Sequence, residues 1–254
     1  MMSARGRDAL RGYDREVNET TPLAPSDRIA AALFDVDGTL VDSNDAHARA
    51  WVAALDEAGF NVAFARIRPL IGMGGDKTVD ALELGFQGTS ERGRALLARR
   101  KALFLERFLA TVEPFPRAGD LVAHLHARGL RCIVASSSSP EELDRLLALC
   151  GAQRYFDHAI EPEEAPESKP DPDVVLAALR WGRIPAGDAV LVGDTRYDIE
   201  AAHRAGVRTI ALRAGGAPAG DLATADAVYH DPAALLAALR DASLGTLLSR
   251  ARAT

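Results

Sequence analysis

Short apolar runs recur along the chain and alternate with segments in which apolar residues are spaced three or four apart. The runs predict buried strands at 29–34, 131–135, 189–192 and 207–212 and, from weaker patterns, at 227–229 and 159–160. Unbroken apolar runs are typical of parallel strands that helices cover on both faces. The alternation therefore predicts an α/β fold, with a Rossmann-like core built around a parallel sheet.

The stretch between the first and second predicted strands departs from this alternation. It contains no convincing strand, and its apolar spacing predicts helices at 46–58, 76–84 and 91–109. We therefore expect a small α-helical cap at 44–114, inserted into a core formed by 27–43 and 115–254, with a return hinge at 113–116. Residues 1–26 are polar and rich in arginine, which predicts a flexible N-terminal tail.

Composition narrows the range of partners. The 254 residues carry a formal charge of −6, and no nucleic-acid partner is expected because such proteins usually present a basic surface. No apolar run approaches the ~20 residues that a membrane helix needs, so no membrane partner is expected either. Cys132 and Cys150 lie in apolar stretches without metal-ligand spacing, which argues against structural zinc and fits a cytoplasmic protein. We expect a monomer or a homodimer.

Polar segments follow four of the predicted strands along the chain. They are Asp35-Val36-Asp37-Gly38-Thr39, the serines 136–139, Ser168-Lys169-Pro170, and Gly193-Asp194-Thr195-Arg196-Tyr197-Asp198. Open α/β sheets bind their ligands beyond the carboxyl ends of the strands, so these segments should converge on one edge. Alone, Asp37-Gly38 could be a turn, Lys169 a surface lysine and Asp198 an acid in the first turn of a helix. Their convergence favours one shared functional site.

In this order and spacing the four segments resemble the haloacid dehalogenase superfamily, in its aspartate-phosphatase branch. The resemblance spans roughly 29–229 and implies an enzyme that removes phosphate from a small phosphorylated metabolite, such as a sugar phosphate or a phosphoglycolate-like compound. It implies that Asp35 attacks phosphorus to form an aspartyl-phosphate, and that Asp37 acts as acid and then as base. Ser136 and Lys169 would hold the phosphate oxygens, and backbone amides near Thr39 and Ser137 would add donors.

The carboxylates also indicate a divalent cation. Mg²⁺ prefers hard oxygen ligands and can neutralise the charge that makes a phosphate ester resist attack. We expect the side chains of Asp35 and Asp194 to be ligands, and the resemblance implies that the backbone carbonyl of Asp37 is another. Asp198 is expected to support the metal site, directly or through water.

The cap offers weaker candidates for contact with substrate. His47 and Trp51 share a helix face, although they could be a packing pair. The glycine-rich loop 72–78 offers Gly74 and Lys77, with structural glycines an equal alternative. Lys101 is a further candidate within a basic run, 99–101, that otherwise reads as a solvated helix face.

Other activities on the same scaffold remain open. The segment 35–51 also resembles the β-phosphoglucomutase group, whose cap arginine catches a distal phosphate; Gly75 takes that position here, unless Arg66 or Arg68 compensates. Asp37 disfavours a dehalogenase, and a phosphonatase would need Lys77 or Lys101 as its Schiff-base lysine. A non-catalytic phosphate-sensing module is the alternative of another class. The occupied motif positions favour the phosphatase.

Overall fold

The computed structural model describes residues 29–251, with side chains up to 247. The predicted tail at 1–26 lies outside this range. Six strands form one sheet in the order β3-β2-β1-β4-β5-β6, and every neighbouring pair is parallel. The strands are β1 Ala31–Phe34, β2 Arg131–Val134, β3 His158–Ala159, β4 Ala189–Gly193, β5 Arg208–Leu212 and β6 Ala227–Tyr229. The predicted α/β fold with a parallel sheet is confirmed.

The helices of the described range cover both faces of the sheet and fill the stretch between β1 and β2. They are α1 Asn44–Glu57, α2 Phe64–Ile67, α3 Gly75–Leu82, α4 Glu91–Leu103, α5 Ala118–Ala127, α6 Pro140–Cys150, α7 Asp173–Gly182, α8 Arg196–Arg204, α9 Pro232–Arg240 and α10 Leu244–Ala251. No helix among the described residues is long and apolar enough to cross a membrane.

The central strand β1 explains why the core has two halves. Successive side chains of a strand point to opposite faces. Ala32 and Phe34 accordingly belong to the apolar cluster beneath α5, α6 and α9, whereas Ala31 and Leu33 belong to the cluster beneath α7 and α8. All four side chains of β1 are completely buried.

The topology places a crevice at the carboxyl end of β1. The chain builds the sheet outward from β1 through β2 to β3, and then continues on the other side of β1 with β4, β5 and β6. The loops that follow β1 and β4 diverge at such a reversal point and leave a ligand crevice between them. The polar segments after β1 and β4 are therefore neighbours.

The helices between β1 and β2 pack around an apolar cluster of their own. Its buried members, all between Ala48 and Leu103, include Leu55 and Val79. The chain leaves and re-enters the core through two paired segments: the amide of Asp42 donates to the Glu113 carbonyl at 2.8 Å, and the amide of Phe115 donates to the Leu40 carbonyl at 3.0 Å. This pairing brings the predicted return hinge beside the exit from β1.

The last cap helix ends earlier than the predicted 91–109. α4 stops at Leu103 and is followed by a π-helical turn, Phe104–Phe108, and a 3₁₀ turn, Leu109–Thr111. The π turn accompanies a buried contact, because the Phe104 ring stacks on the imidazole of His47 with 3.9 Å between ring centroids. Apolar periodicity alone does not distinguish a π turn from a continuing α-helix.

Candidate active site

Asp35 lies directly beyond the carboxyl end of β1. Its amide donates to the Val192 carbonyl at 2.9 Å, so the β1–β4 pairing fixes its backbone. The Lys169 ammonium donates to Asp35 Oδ1 at 2.7 Å, and Lys169 is completely buried. Burial opposes the charged form of this lysine, but the charges of Asp198 and Asp35 hold its pKa above the usual range.

Asp194 faces Asp35 from the end of β4. The Thr39 hydroxyl lies 3.3 Å from Asp35 Oδ2 and 3.3 Å from Asp194 Oδ1, so it bridges the two carboxylates. Asn44, at the start of α1, donates from Nδ2 to Asp194 Oδ2 at 2.8 Å. The Thr39 amide donates to the Val36 carbonyl at 3.2 Å within the turn.

Asp198 positions Lys169. Its Oδ1 accepts from the Lys169 ammonium at 2.7 Å, and its Oδ2 accepts from the Thr195 amide at 3.0 Å and the Thr195 hydroxyl at 2.6 Å. The second oxygen thereby caps the N-terminus of α8. Both oxygens are engaged, so this carboxylate acts on the site through Lys169.

The charge balance of these residues fits a divalent cation. Carboxylate oxygens of Asp35, Asp194 and Asp198 lie within 4.8 Å of one another, all buried, with Lys169 as the ammonium among them. Burial, offset in part by Lys169 and reinforced by Asp198 and Asp37, raises the pKa of Asp35 to about 8. Burial and the charges of Asp198 and Asp35 likewise raise the pKa of Asp194. Three buried carboxylates share one ammonium, so the cluster carries excess negative charge that is costly to bury. A hard cation such as Mg²⁺, which prefers oxygen ligands, would neutralise that charge.

Asp37 faces the cap, although it is only two residues from Asp35. Its Oδ1 accepts from the Ser43 hydroxyl at 2.5 Å and contacts His47 Nε2 at 2.7 Å, and its Oδ2 accepts from the Ser138 hydroxyl at 2.6 Å. Burial alone raises the pKa of Asp37, but its interaction with His47 and these hydrogen bonds hold it well below the usual range. The environment stabilises the ionised carboxylate.

A buried series of hydrogen bonds begins at Asp37, passes through His47 and Arg100 of the cap, and returns to the core at Glu142 on α6. Arg100 Nη1 lies 3.1 Å from His47 Nδ1 and donates to Glu142 Oε1 at 2.6 Å. A guanidinium only donates, so His47 Nδ1 accepts and the ring carries its proton on Nε2, which donates to Asp37. Glu142 in turn accepts from the Ser139 hydroxyl at 2.7 Å and caps α6. We call Asp37, His47, Arg100 and Glu142 the cap-facing chain.

A pocket between cap and core joins these features. The core lines it with Asp35, Asp37 and the serines 136–138, and the cap lines it with His47, Trp51, Ile71, Gly72, Met73, Gly75, Thr78 and Arg100. Ser136 is buried, and its hydroxyl accepts from the Ser138 amide at 3.1 Å. The segments expected from the sequence thus meet at one edge of the sheet.

Three cap candidates lie outside the pocket lining. The Lys77 ammonium binds the Ser168 carbonyl and the Asp171 carboxylate. Lys101 forms an exposed ion pair with Glu141 at 3.2 Å. Gly74 donates its amide to the Lys169 carbonyl at 3.2 Å, so it brings the cap loop against the core. Each lysine pairs with an acidic residue of the core instead, Lys77 with Asp171 and Lys101 with Glu141.

The structure adds residues that the sequence reading missed. Arg100, read as part of a solvated face, is mostly buried and lines the pocket. The signal was its place on α4, four residues after the buried Leu96 and four before the buried Phe104. Glu142 and Asn44 had no comparable signal, because their partners are distant along the chain.

Fold and site together define a hydrolase-type scaffold: a doubly wound parallel sheet, a helical insert after β1 and a buried acid cluster at the reversal point. Residues 32–212 match the family model for haloacid dehalogenase-like hydrolases, and the chain belongs to this family.

Individual relatives agree with this assignment. The phosphoglycolate phosphatase of Yersinia pestis is 33% identical over 192 residues, which cover 74% of this chain and 82% of the relative. The fructose-1-phosphate phosphatase YqaB of Escherichia coli is 30% identical over 190 residues, covering 74% and 98%. The solved structure of a hydrolase from Pseudomonas syringae matches with a TM-score of 0.78 and 29% identity, over 84% of this chain and 99% of that one.

Proposed function

We propose that the protein is a magnesium-dependent phosphatase that hydrolyses a small phosphomonoester through an aspartyl-phosphate on Asp35. The observation that carries the proposal is the contrast between two nearby carboxylates. Asp35 lies in the acid cluster with Lys169, whereas Asp37 turns to the cap and accepts three hydrogen bonds. Two acids held in such different environments suit two different roles.

In the first half of the reaction, an oxygen of Asp35 bonds to phosphorus while the bond to the ester oxygen breaks. The leaving oxygen takes from Asp37 the proton that this carboxyl group gained from water in the preceding turnover, and the partners that favour ionised Asp37 promote this release. Lys169 and the hydroxyl of Ser136, with the Ser137 amide, hold the phosphate oxygens, and Thr39 keeps the Asp35 carboxylate in position. Magnesium bound by the side chains of Asp35 and Asp194 and the Asp37 carbonyl would supply charge neutralisation.

In the second half, water attacks the phosphorus of the aspartyl-phosphate. The bond to Asp35 breaks, inorganic phosphate leaves, and Asp37 takes the proton of the water. The arrangement around Asp37 suits this half, because Ser43, His47 and Ser138 stabilise the ionised carboxylate that acts as the base.

Phosphate release from a panel of phosphomonoesters, with Mg²⁺ and with EDTA, tests the proposal. We expect EDTA to abolish release and Asp35→Asn to reduce it by a factor on the order of 10⁴ or more, because the amide cannot act as the nucleophile. Asp42→Asn is the matched control, since Asp42 is exposed. Mass spectrometry of acid-quenched enzyme should detect phosphate on Asp35. Full activity of Asp35→Asn or in EDTA would refute the mechanism.

A phosphomutase is the second candidate, because His47 and Trp51 of the mutase-like segment both line the pocket. Gly75 also lines it at the position where that group has its arginine. Arg66 donates to the Leu82 carbonyl, and Arg68 donates to Asp45 and to the Gly215 carbonyl, so both guanidinium groups already have protein partners. Isomerised hexose phosphate without net phosphate release would favour the mutase over the phosphatase.

A further inference from the structure

The pocket contains one feature that the proposed reaction does not use. Among the described residues that line it, Arg100 carries the permanent positive charge, since the remaining lining side chains are acidic, neutral or histidine. Lys169 lies behind Asp35 and serves the transferring phosphate. In the proposed reaction Asp35 on the core side takes the phosphate, so a cation on the cap side would face the leaving alcohol.

Arg100 is held in a fixed position there. Its side chain is 15% exposed, its guanidinium lies 5.9 Å from the centroid of the Trp51 ring, and Nη1 is anchored by His47 and Glu142. A long side chain normally loses conformational freedom when it binds a ligand. Because this one is already ordered, it would lose little on binding an anion.

The donors of Arg100 are only partly used. Among the described residues, hydrogen bonds reach Nη1 alone, and Nε is buried without a partner. A buried charged donor without an acceptor is unfavourable, and an acceptor oxygen supplied by a ligand would correct it. Arginine also binds carboxylates and phosphates through two adjacent nitrogens.

We infer that Arg100 is a specificity-determining residue that recognises a second anionic group, a carboxylate or a phosphate, on the leaving alcohol of the substrate. The inference rests on the proposed phosphatase function and narrows its substrate class. Phosphomonoesters with an anionic alcohol portion are therefore preferred over those whose alcohol portion carries only hydroxyl groups.

Matched substrate pairs test this preference. One pair is 2-phosphoglycolate and 2-hydroxyethyl phosphate, which differ by a carboxylate; the other is fructose 1,6-bisphosphate and fructose 1-phosphate, which differ by a phosphate. The measured quantity is the ratio of kcat/KM within each pair. We expect wild type to favour the anionic member of at least one pair, and the pair with the larger ratio identifies the group as carboxylate or phosphate.

Arg100→Gln should reduce that ratio by about 10- to 100-fold, the range for loss of a hydrogen bond to a charged group. Loss of the contact with His47 lowers kcat/KM for both members of a pair alike and therefore cancels in the ratio. Arg100→Lys should retain part of the preference. Because Arg100→Gln leaves Glu142 buried and unpaired, the double variant Arg100→Gln/Glu142→Gln is measured beside it. Arg99→Gln is the matched control, since Arg99 is half-exposed and pairs with Glu57 on the cap surface.

The outcomes separate the two proposals. Wild-type hydrolysis with no anionic preference, or with a ratio that Arg100→Gln and the double variant both leave unchanged, overturns the inference alone. An equal fall in kcat/KM for both members of each pair also overturns it, because a purely structural role predicts that result. Absence of hydrolysis with every substrate overturns the proposed function and this inference with it.

Discussion

Two buried networks of charged side chains meet in this pocket, and their charge balance differs. The strand-end cluster consists of Asp35, Lys169, Asp194 and Asp198, in which three carboxylates share one ammonium. In the cap-facing chain, Arg100 stands between Glu142 and the imidazole that binds Asp37. The first network has excess negative charge and can bind a cation. In the second network, the charges and hydrogen-bonding groups are largely paired within the protein.

The difference reflects where each network is built. Asp35 and Asp194 directly follow strands β1 and β4 of one parallel sheet, Asp198 lies in the first turn of α8, and Lys169 lies in the loop between β3 and α7. The cap-facing chain instead spans cap helices α1 and α4 and core helix α6, so it forms only when cap and core are together. The chemistry is therefore fixed by the sheet, and the cap contributes contacts that depend on its position.

Removal of Lys169 should have the largest effect. Lys169→Met leaves Asp35 and Asp198 buried without their cation, which should destabilise the protein by about 3–5 kcal/mol in EDTA. Activity should fall on the order of 100- to 1,000-fold because a donor to the phosphate is lost. Urea unfolding with EDTA and with Mg²⁺ measures the first effect, and we expect Mg²⁺ to reduce the loss. Stability equal to that of Lys101→Met, an exposed control, would contradict this account of the cluster.

Disruption of the contact between the cap loop and the core should have the second-largest effect. A Cβ at Gly74 would lie 1.9 Å from Ser168 Oγ and 2.1 Å from Ser168 Cβ, so Gly74→Ala must push the loop away from the segment that carries Lys169. We expect kcat/KM to fall about 10- to 100-fold, since small displacements of reacting groups are costly.

Gly187→Ala is the control for that change. Nothing lies within 4 Å of a Cβ at Gly187, and its φ is not positive. It should leave activity unchanged and alter stability by less than about 1 kcal/mol. Equal activity of both alanine variants would show that close approach at Gly74 is unimportant.

The pH dependence of the stability of Glu142→Gln tests the cap-facing chain. Burial alone raises the pKa of Glu142, but the charge of Arg100, together with His47 and the hydrogen bond from Ser139, more than offsets this and lowers it. A group with a lowered pKa stabilises the fold above its unfolded pKa, about 4.3 for glutamate, and loses that contribution as the pH falls further. Glu142→Gln should therefore cost about 1–2 kcal/mol at pH 7, and the difference from wild type should shrink below pH ~4.

Neighbouring Glu141 supplies the comparison for that measurement. Glu141→Gln removes only an exposed pair with Lys101 and should change the free energy of unfolding by less than about 0.5 kcal/mol at any pH. A deficit of Glu142→Gln that is constant between pH 7 and pH 3 would mean that the Arg100–Glu142 charge interaction is not its source.

The two networks were not equally predictable from the sequence. Asp35 and Asp194 directly follow apolar runs, and the end of a parallel strand fixes where its next residue lies. Lys169 and Asp198 were expected from the motif order and spacing instead. The roles proposed for them stay predictions. Arg100 pairs with Glu142 across forty-two positions of sequence, so no local pattern could link them. The π-helical turn at 104–108 was not predicted for a related reason, because Phe104 within it stacks on His47 of another helix.

Lys77 provides the smallest and most discriminating test of the cap. Its ammonium binds the Ser168 carbonyl and the Asp171 carboxylate at the partly exposed rim between cap and core. Exposed ion pairs contribute little, so Lys77→Met should cost at most about 1 kcal/mol of stability and leave kcat within about threefold of wild type. A Schiff-base lysine would behave differently, because its loss would abolish turnover and borohydride with a carbonyl substrate would inactivate the wild type. Loss of activity in Lys77→Met together with borohydride trapping would move the chemistry from the strand-end cluster to the cap, whereas a small stability change alone would assign Lys77 to holding the two parts together.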